Sequence, residues 1–254
     1  MSNFFKSRNP MMRESTLKSA HQDVLDSNLV GGFDSAREES MTVAGSVNKT
    51  LVLGALLVGG AFIGFMYPMG LFLWPAAIAG FVLVLISAFK PSTSPYIAPL
   101  YSGIEGLFVG AITAIYAAEF AGIAFQAITI TMGMLFLMLF IYKTGLVKVD
   151  QKFRAGVYMA TGAVMLVYLI NLGLSFFGMH MPYLHEGGMI GIGISLVIIG
   201  IAAMNLLLDF DNFEKGEAMG LPKYMEWFFA MSLIVTIIWL YLEILRLLAK
   251  LNRD

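Results

Sequence analysis

The segment LLLDFDNFEKGE, residues 206–217, ends a long apolar run with four carboxylates: Asp209, Asp211, Glu214 and Glu217. Acids placed there can exchange a proton, bind a cation, or simply begin a polar loop. Asp209 and Asp211 are separated by about 200° of helical rotation, so only one of them can point into a helical bundle. Asp209 is the candidate, because it abuts the leucines and lies deeper, while Asp211 opens a polar run with Asn212 and Glu214. A calcium loop of the EF-hand type is excluded here. The sequence has no Gly at the sixth loop position and no Glu at the twelfth.

Three further polar sites interrupt apolar runs. Glu105 sits in SGIEGLFVG, and Glu243 sits in WLYLEILRLL with Arg246 three residues on, on the same helical face. Thr236 lies seven residues before Glu243, so the two share one stripe of a helix that also carries Tyr241, and such a stripe belongs inside a bundle. Asn171 and Asn205 are uncharged polar members of the same set. An ionisable residue at the centre of a bilayer costs from about 2.5 kcal/mol upward, so each needs a partner, a cavity or a function. Burial disfavours the ionised form of a carboxylate where opposite charge is scarce, and a group such as Glu105 would then exchange a proton in the physiological range. His180 and His185, with Glu186 adjacent, have a spacing that could hold a metal, but they fall in a loop, and no metal site is assigned.

The elements that must position these groups follow from composition. Hydrophobic residues make up 58% of the 254-residue chain and charged residues 13%, and the mean hydropathy is +0.78. Those values lie outside the range of a soluble domain. The net charge of −1 gives no reason to expect nucleic acid as a partner; the bilayer is the partner. There is no cysteine, which excludes disulfides and thiol chemistry. No phosphate-binding glycine loop, serine nucleophile elbow or zincin motif occurs, and an intramembrane aspartyl protease would need two facing aspartates in a glycine context that Asp209 lacks. The expectation is a protein that is not an enzyme and has no cofactor.

Crossing about 30 Å of hydrocarbon takes about 20 apolar residues at a rise of about 1.5 Å each. Seven segments qualify: 48–67, 70–89, 97–117, 121–142, 155–178, 188–208 and 226–248. The fold class is therefore all-α, a polytopic seven-transmembrane helix bundle over residues 47–250, preceded by a polar arm, residues 1–46, whose composition argues for disorder or loose helix. Lys90, Lys143, Lys148, Lys152, Arg154, Lys215 and Lys223 follow the even-numbered spans, whereas the alternate connections have no Lys or Arg. The positive-inside rule puts the basic connections and the N-terminus in the cytoplasm, with no signal peptide required. Arg246, Lys250 and Arg253 then fall on the wrong side. Either the last span is short or re-entrant, or these charges are tolerated there. The first and third spans carry GALLVGGAFIG and GIEGLFVGA, and Gly103, Gly106 and Gly110 leave one flank of the third nearly bare for close helix packing.

Seven spans, a sixth ending LLLDFDNF and a last reading WLYLEILRLL resemble the Bax inhibitor-1/YccA-like family, also called the transmembrane Bax inhibitor motif family, over roughly residues 45–250. The resemblance implies a central last helix and a pH-sensitive calcium leak in a bacterial inner membrane, with two carboxylates sharing a proton. Asp209 matches the first. Aligning on LYLE puts Glu243 in the second place, and aligning on the string after it puts Thr236 there; in that case Glu105 is the remaining partner for Asp209. The YccA branch implies a different role, regulation of a membrane protease or another membrane protein through the arm. Calcium is then cargo in the first reading and absent from the second.

Overall fold

A computed structural model describes residues 40–68, 70, 73–175, 177–178 and 188–253. The arm up to residue 39 and His180, His185 and Glu186 lie outside the described residues. Seven α-helices are found among the described residues: α1 (Val43–Met66), α2 (Leu73–Phe89), α3 (Ser94–Glu119), α4 (Ile123–Thr144), α5 (Gln151–Ser175), α6 (Gly188–Ala218) and α7 (Met225–Arg253). All but α2 are long and apolar enough to cross a membrane. At 17 residues, α2 sits at the lower limit of about 17 for a spanning helix.

Helix ends depart from the apolar runs where local chemistry extends the helix. Thr42 caps α1 by accepting a hydrogen bond from Gly45 N at 2.9 Å, so the helix begins inside the stretch assigned to the arm. Asp150 Oδ1 accepts from Phe153 N at 2.7 Å and starts α5. The largest difference is in α6, which runs ten residues beyond its apolar segment to Ala218. Leaving the hydrocarbon does not end a helix, and Phe213, Glu214, Lys215 and Glu217 continue it until Gly220, which takes a positive φ of 62°.

The bundle is built around α7. This helix packs on α1, α3, α4 and α6, and Ala230, Ile234, Leu240, Ile244 and Leu245 are sealed in the core. By contrast α5 rests on α6 and turns Met159, Met165 and Leu169 outward. Outward apolar side chains such as Leu51, Phe125 and Phe136 are what a bilayer solvates. The glycine flanks of α1 and α3 meet backbone to backbone. A methyl group on Gly60 would approach Gly103 O to 2.6 Å, and one on Gly106 or Gly110 would overlap the Leu57 or Ala61 carbonyl. Dispersion between close backbones, rather than water exclusion, holds such a pair together in lipid.

The three basic residues at the C-terminal end are explained by partners. Helix α7 is continuous over 29 residues, so it is neither short nor re-entrant. Arg246 pairs with Glu243 at 2.9 Å, and Arg253 pairs with Glu119 at 3.1 Å on the surface. Lys250 is buried and donates to Gly191 O at 2.9 Å and Ser195 Oγ at 3.0 Å.

Candidate functional site: a buried aspartate between two helices

Asp209 lies on α6 where it faces α7, and only 4% of the residue is exposed. Ser232 Oγ donates to its Oδ1 at 2.7 Å, and Thr236 Oγ1 donates to its Oδ2 at 2.6 Å. The two hydroxyls are one helical turn apart on α7, which is the spacing that lets both reach one carboxylate. Thr236 Oγ1 also lies 3.2 Å from Ser232 O, its own carbonyl one turn back. That second acceptor matters chemically. If Asp209 takes a proton on Oδ2, the new O–H can donate to Thr236 Oγ1, whose hydrogen turns to Ser232 O. Both charge states of the acid are therefore satisfied without moving either helix.

The hydroxyls also line a cavity of about 260 Å³ between α2, α5, α6 and α7. Its polar wall comprises Ser87, Thr161, Asn205, Ser232 and Thr236, and Trp239 closes part of the apolar side. Asn205 is held in place by donating to Thr161 Oγ1 at 2.8 Å and Ile201 O at 2.9 Å. A wider groove of about 330 Å³ between α1, α3, α4 and α7 is apolar, lined by Leu57, Phe62, Ile128 and Met132 among others, and holds none of the carboxylates.

Asp209 and Glu243 belong to separate networks. Glu243 is 1% exposed and lies about 10 Å further along α7 than Thr236 by helical rise. It accepts from Tyr168 OH at 2.5 Å and from Arg246 at 2.9 and 3.0 Å, and Arg246 also donates to Tyr168 OH at 2.6 Å. The Glu243–Arg246 contact is the one expected from their spacing. Glu105 is on α3 against Gly80 of α2, so it does not partner Asp209 either. Of the residues proposed for the second position, the structure brings Thr236 to Asp209 and leaves both glutamates elsewhere.

The placement of Asp211 corrects the sequence reading. It is 9% exposed, lies within α6 rather than in a loop, and forms ion pairs with Arg154 of α5 and with Lys215 at 2.7 Å. Both aspartates are buried because α6 is covered on two sides at this level, by α7 and by the start of α5. Glu214, also helical, accepts from Tyr142 OH at 2.6 Å and Lys143 at 2.9 Å. Ser232, Tyr168 and Glu226 were not foreseen. Ser232 could have been found as the residue one turn before Thr236 on its polar stripe, whereas nothing in VMLVYLINL sets Tyr168 apart. Glu226 looks like a loop acid, but it is fully buried. It accepts from Thr42 N at 3.0 Å, tying the start of α7 to the start of α1.

A bundle of helices long and apolar enough to cross a membrane, packed around a central helix that holds a buried aspartate through two hydroxyls, defines an integral membrane protein. A family model for Bax inhibitor 1 like proteins matches residues 8–253, and the chain belongs to that family. No curated protein matches it.

Proposed function

We propose that this protein is a cation leak, with calcium as the ion carried, whose conductance is set by the protonation of Asp209. The observation that supports this reading is the Asp209–Ser232–Thr236 site, whose two hydroxyls belong to the polar wall of the otherwise apolar cavity of about 260 Å³. Ionised, Asp209 places a full negative charge beside that cavity, and in a medium of low dielectric a cation is strongly attracted to it. Protonated, it offers no charge, and the Thr236 hydroxyl turns as described above to satisfy the neutral acid. Flux then rises with pH. Since Thr236 stands opposite Asp209 in place of a second acid, no proton is shared, and the response is that of one titrating group rather than of a coupled pair. On this reading the membrane is a bacterial inner membrane and the Asp209 end of the bundle faces the cytoplasm, a side that the basic connections, including Lys143, Lys148 and Lys223, support.

The test is calcium-dye flux in proteoliposomes between pH 6 and 8 with wild type and Asp209→Asn. The expected result is flux that climbs with pH in the wild type and a flat profile in the variant. A variant that follows the wild-type profile removes Asp209 as the sensor. Absence of flux at every pH from folded protein overturns the leak, and leaves the binding of another membrane protein as the role to pursue.

A further inference from the structure

Among the described residues, three buried side-chain oxygens lack a hydrogen-bond partner: Ser102 Oγ, Glu105 Oε2 and Glu226 Oε2. Two of the three lie one turn apart on α3. Glu226 has other partners through its second oxygen, whereas Glu105 has none, and the two oxygens in the α3 turn are therefore the conspicuous ones. Glu105 lies 11 residues after Ser94 and 14 before Glu119, about 16 Å from the nearer helix end. Glu105 therefore lies near the middle of α3, away from both of its ends.

The carboxyl occupies a notch built for it. Gly80, at the middle of α2, has no side chain at that point, and a methyl group there would overlap Glu105 Oε2; the ring of Tyr101 closes the same notch. Helix α2 contains no titratable residue, and Lys90 beyond its end is about 15 Å along the axis from Gly80. Each charged or titratable group on the other helices packed against α3 is engaged elsewhere. On α1, Lys49 lies over the Trp227 ring. On α4, Tyr142 and Lys143 bind Glu214. On α7, Tyr241 pairs with Thr113, Glu243 with Arg246, Glu226 with Thr42, and Lys250 with the start of α6. Arg253 of α7 pairs with Glu119, so among the described residues no cation is left to neutralise Glu105. An isolated carboxylate in hydrocarbon is far costlier than the neutral acid, and Ser102 Oγ, one turn back, makes no hydrogen bond to Glu105 Oε2 that would favour its ionised form.

We infer that Glu105 and the Gly80 notch form a second proton-binding site, separate from Asp209, in which Glu105 is held as the neutral carboxylic acid at the level of the lipid tails. Such an acid belongs to the chemical class that hydrophobic carbodiimides modify from within the bilayer. The carboxyl adds across one N=C bond, its proton passes to the carbodiimide nitrogen, and the adduct rearranges to an N-acylurea with no leaving group. Asp209, bound by two hydroxyls, and Glu243, ion-paired to Arg246, serve as internal comparisons.

The experiment treats wild-type protein in proteoliposomes with dicyclohexylcarbodiimide from pH 6 to 9 and maps the adduct by peptide mass. The expected result is one added carbodiimide on Glu105, ahead of Asp209 and Glu243, with a rate that falls about tenfold per pH unit once the acid ionises. Glu105→Gln should lose that adduct. Three results would overturn the inference. They are no adduct on Glu105 across the range, equal modification by a water-soluble carbodiimide, and protection by sodium at fixed pH, which would make the notch a sodium site. Since the readout is covalent mass, it is decided independently of whether calcium flux is observed.

Discussion

At the scale of single residues, the exchange of a hydroxyl for a carboxylate opposite Asp209 has measurable consequences. Thr236→Asp would recreate two facing acids, which cannot both ionise cheaply. Its calcium flux should stay low to a higher pH than the wild type and show two steps where the wild type shows one, as read by the same dye assay. Ser232→Ala removes one of two hydrogen bonds to a buried acid and should cost about 1.5–3 kcal/mol of stability at pH 8, measured by unfolding in mixed detergent. At pH 6 the cost should shrink, since the neutral acid relies less on that donor. Asp209 itself was legible in the sequence because an acid directly after LLL is expensive and therefore informative. Its partners were less so. Ser and Thr are common in membrane helices, and which face of α7 meets α6 depends on packing that hydropathy does not record.

At the scale of elements, the glycine contact between α1 and α3 gives a paired test within two consecutive residues. Gly60→Val should destabilise the protein by about 3 kcal/mol, the upper end for overpacking, because its Cβ has the Gly103 carbonyl in its way. Gly59→Val has nothing within 4 Å and should leave the thermal midpoint in detergent unchanged within about a degree of its parent. The small-residue runs announced this contact, but only the close approach tells Gly59 from Gly60. The extension of α6 was hidden for a different reason. A rule based on hydrocarbon thickness stops at Leu208, whereas the helix is carried on by Asp211 pairing with Arg154 and Lys215, and Glu214 with Tyr142 and Lys143. Arg154→Ala leaves Asp211 with Lys215 alone, and should raise hydrogen exchange at the start of α5 more than in α7.

At the scale of the whole molecule, seven helices place the start of α1 and the end of α7 at opposite ends of the bundle. The absence of cysteine makes this simple to check, since one introduced thiol has no background. Asn252→Cys should react with a membrane-impermeant maleimide on intact cells, whereas Lys148→Cys should react only after the membrane is permeabilised. The number of helices and their order were readable from hydropathy alone. The charges at the C-terminal end were not, because counting Lys and Arg cannot reveal that Lys250 is buried on the first turn of α6 or that Arg246 is neutralised within α7. The position of α7 also bears on how the chain is made. The helix at the centre is synthesised after the other six. Until it enters the bilayer, Asp209 has neither Ser232 nor Thr236, and the inner faces of α1, α3 and α6 have no common surface to pack on. The nascent bundle therefore waits as an open cage with an unsatisfied acid, so a ribosome that stalls before residue 225 leaves in the membrane a substrate suited to quality-control proteolysis rather than a partly working protein.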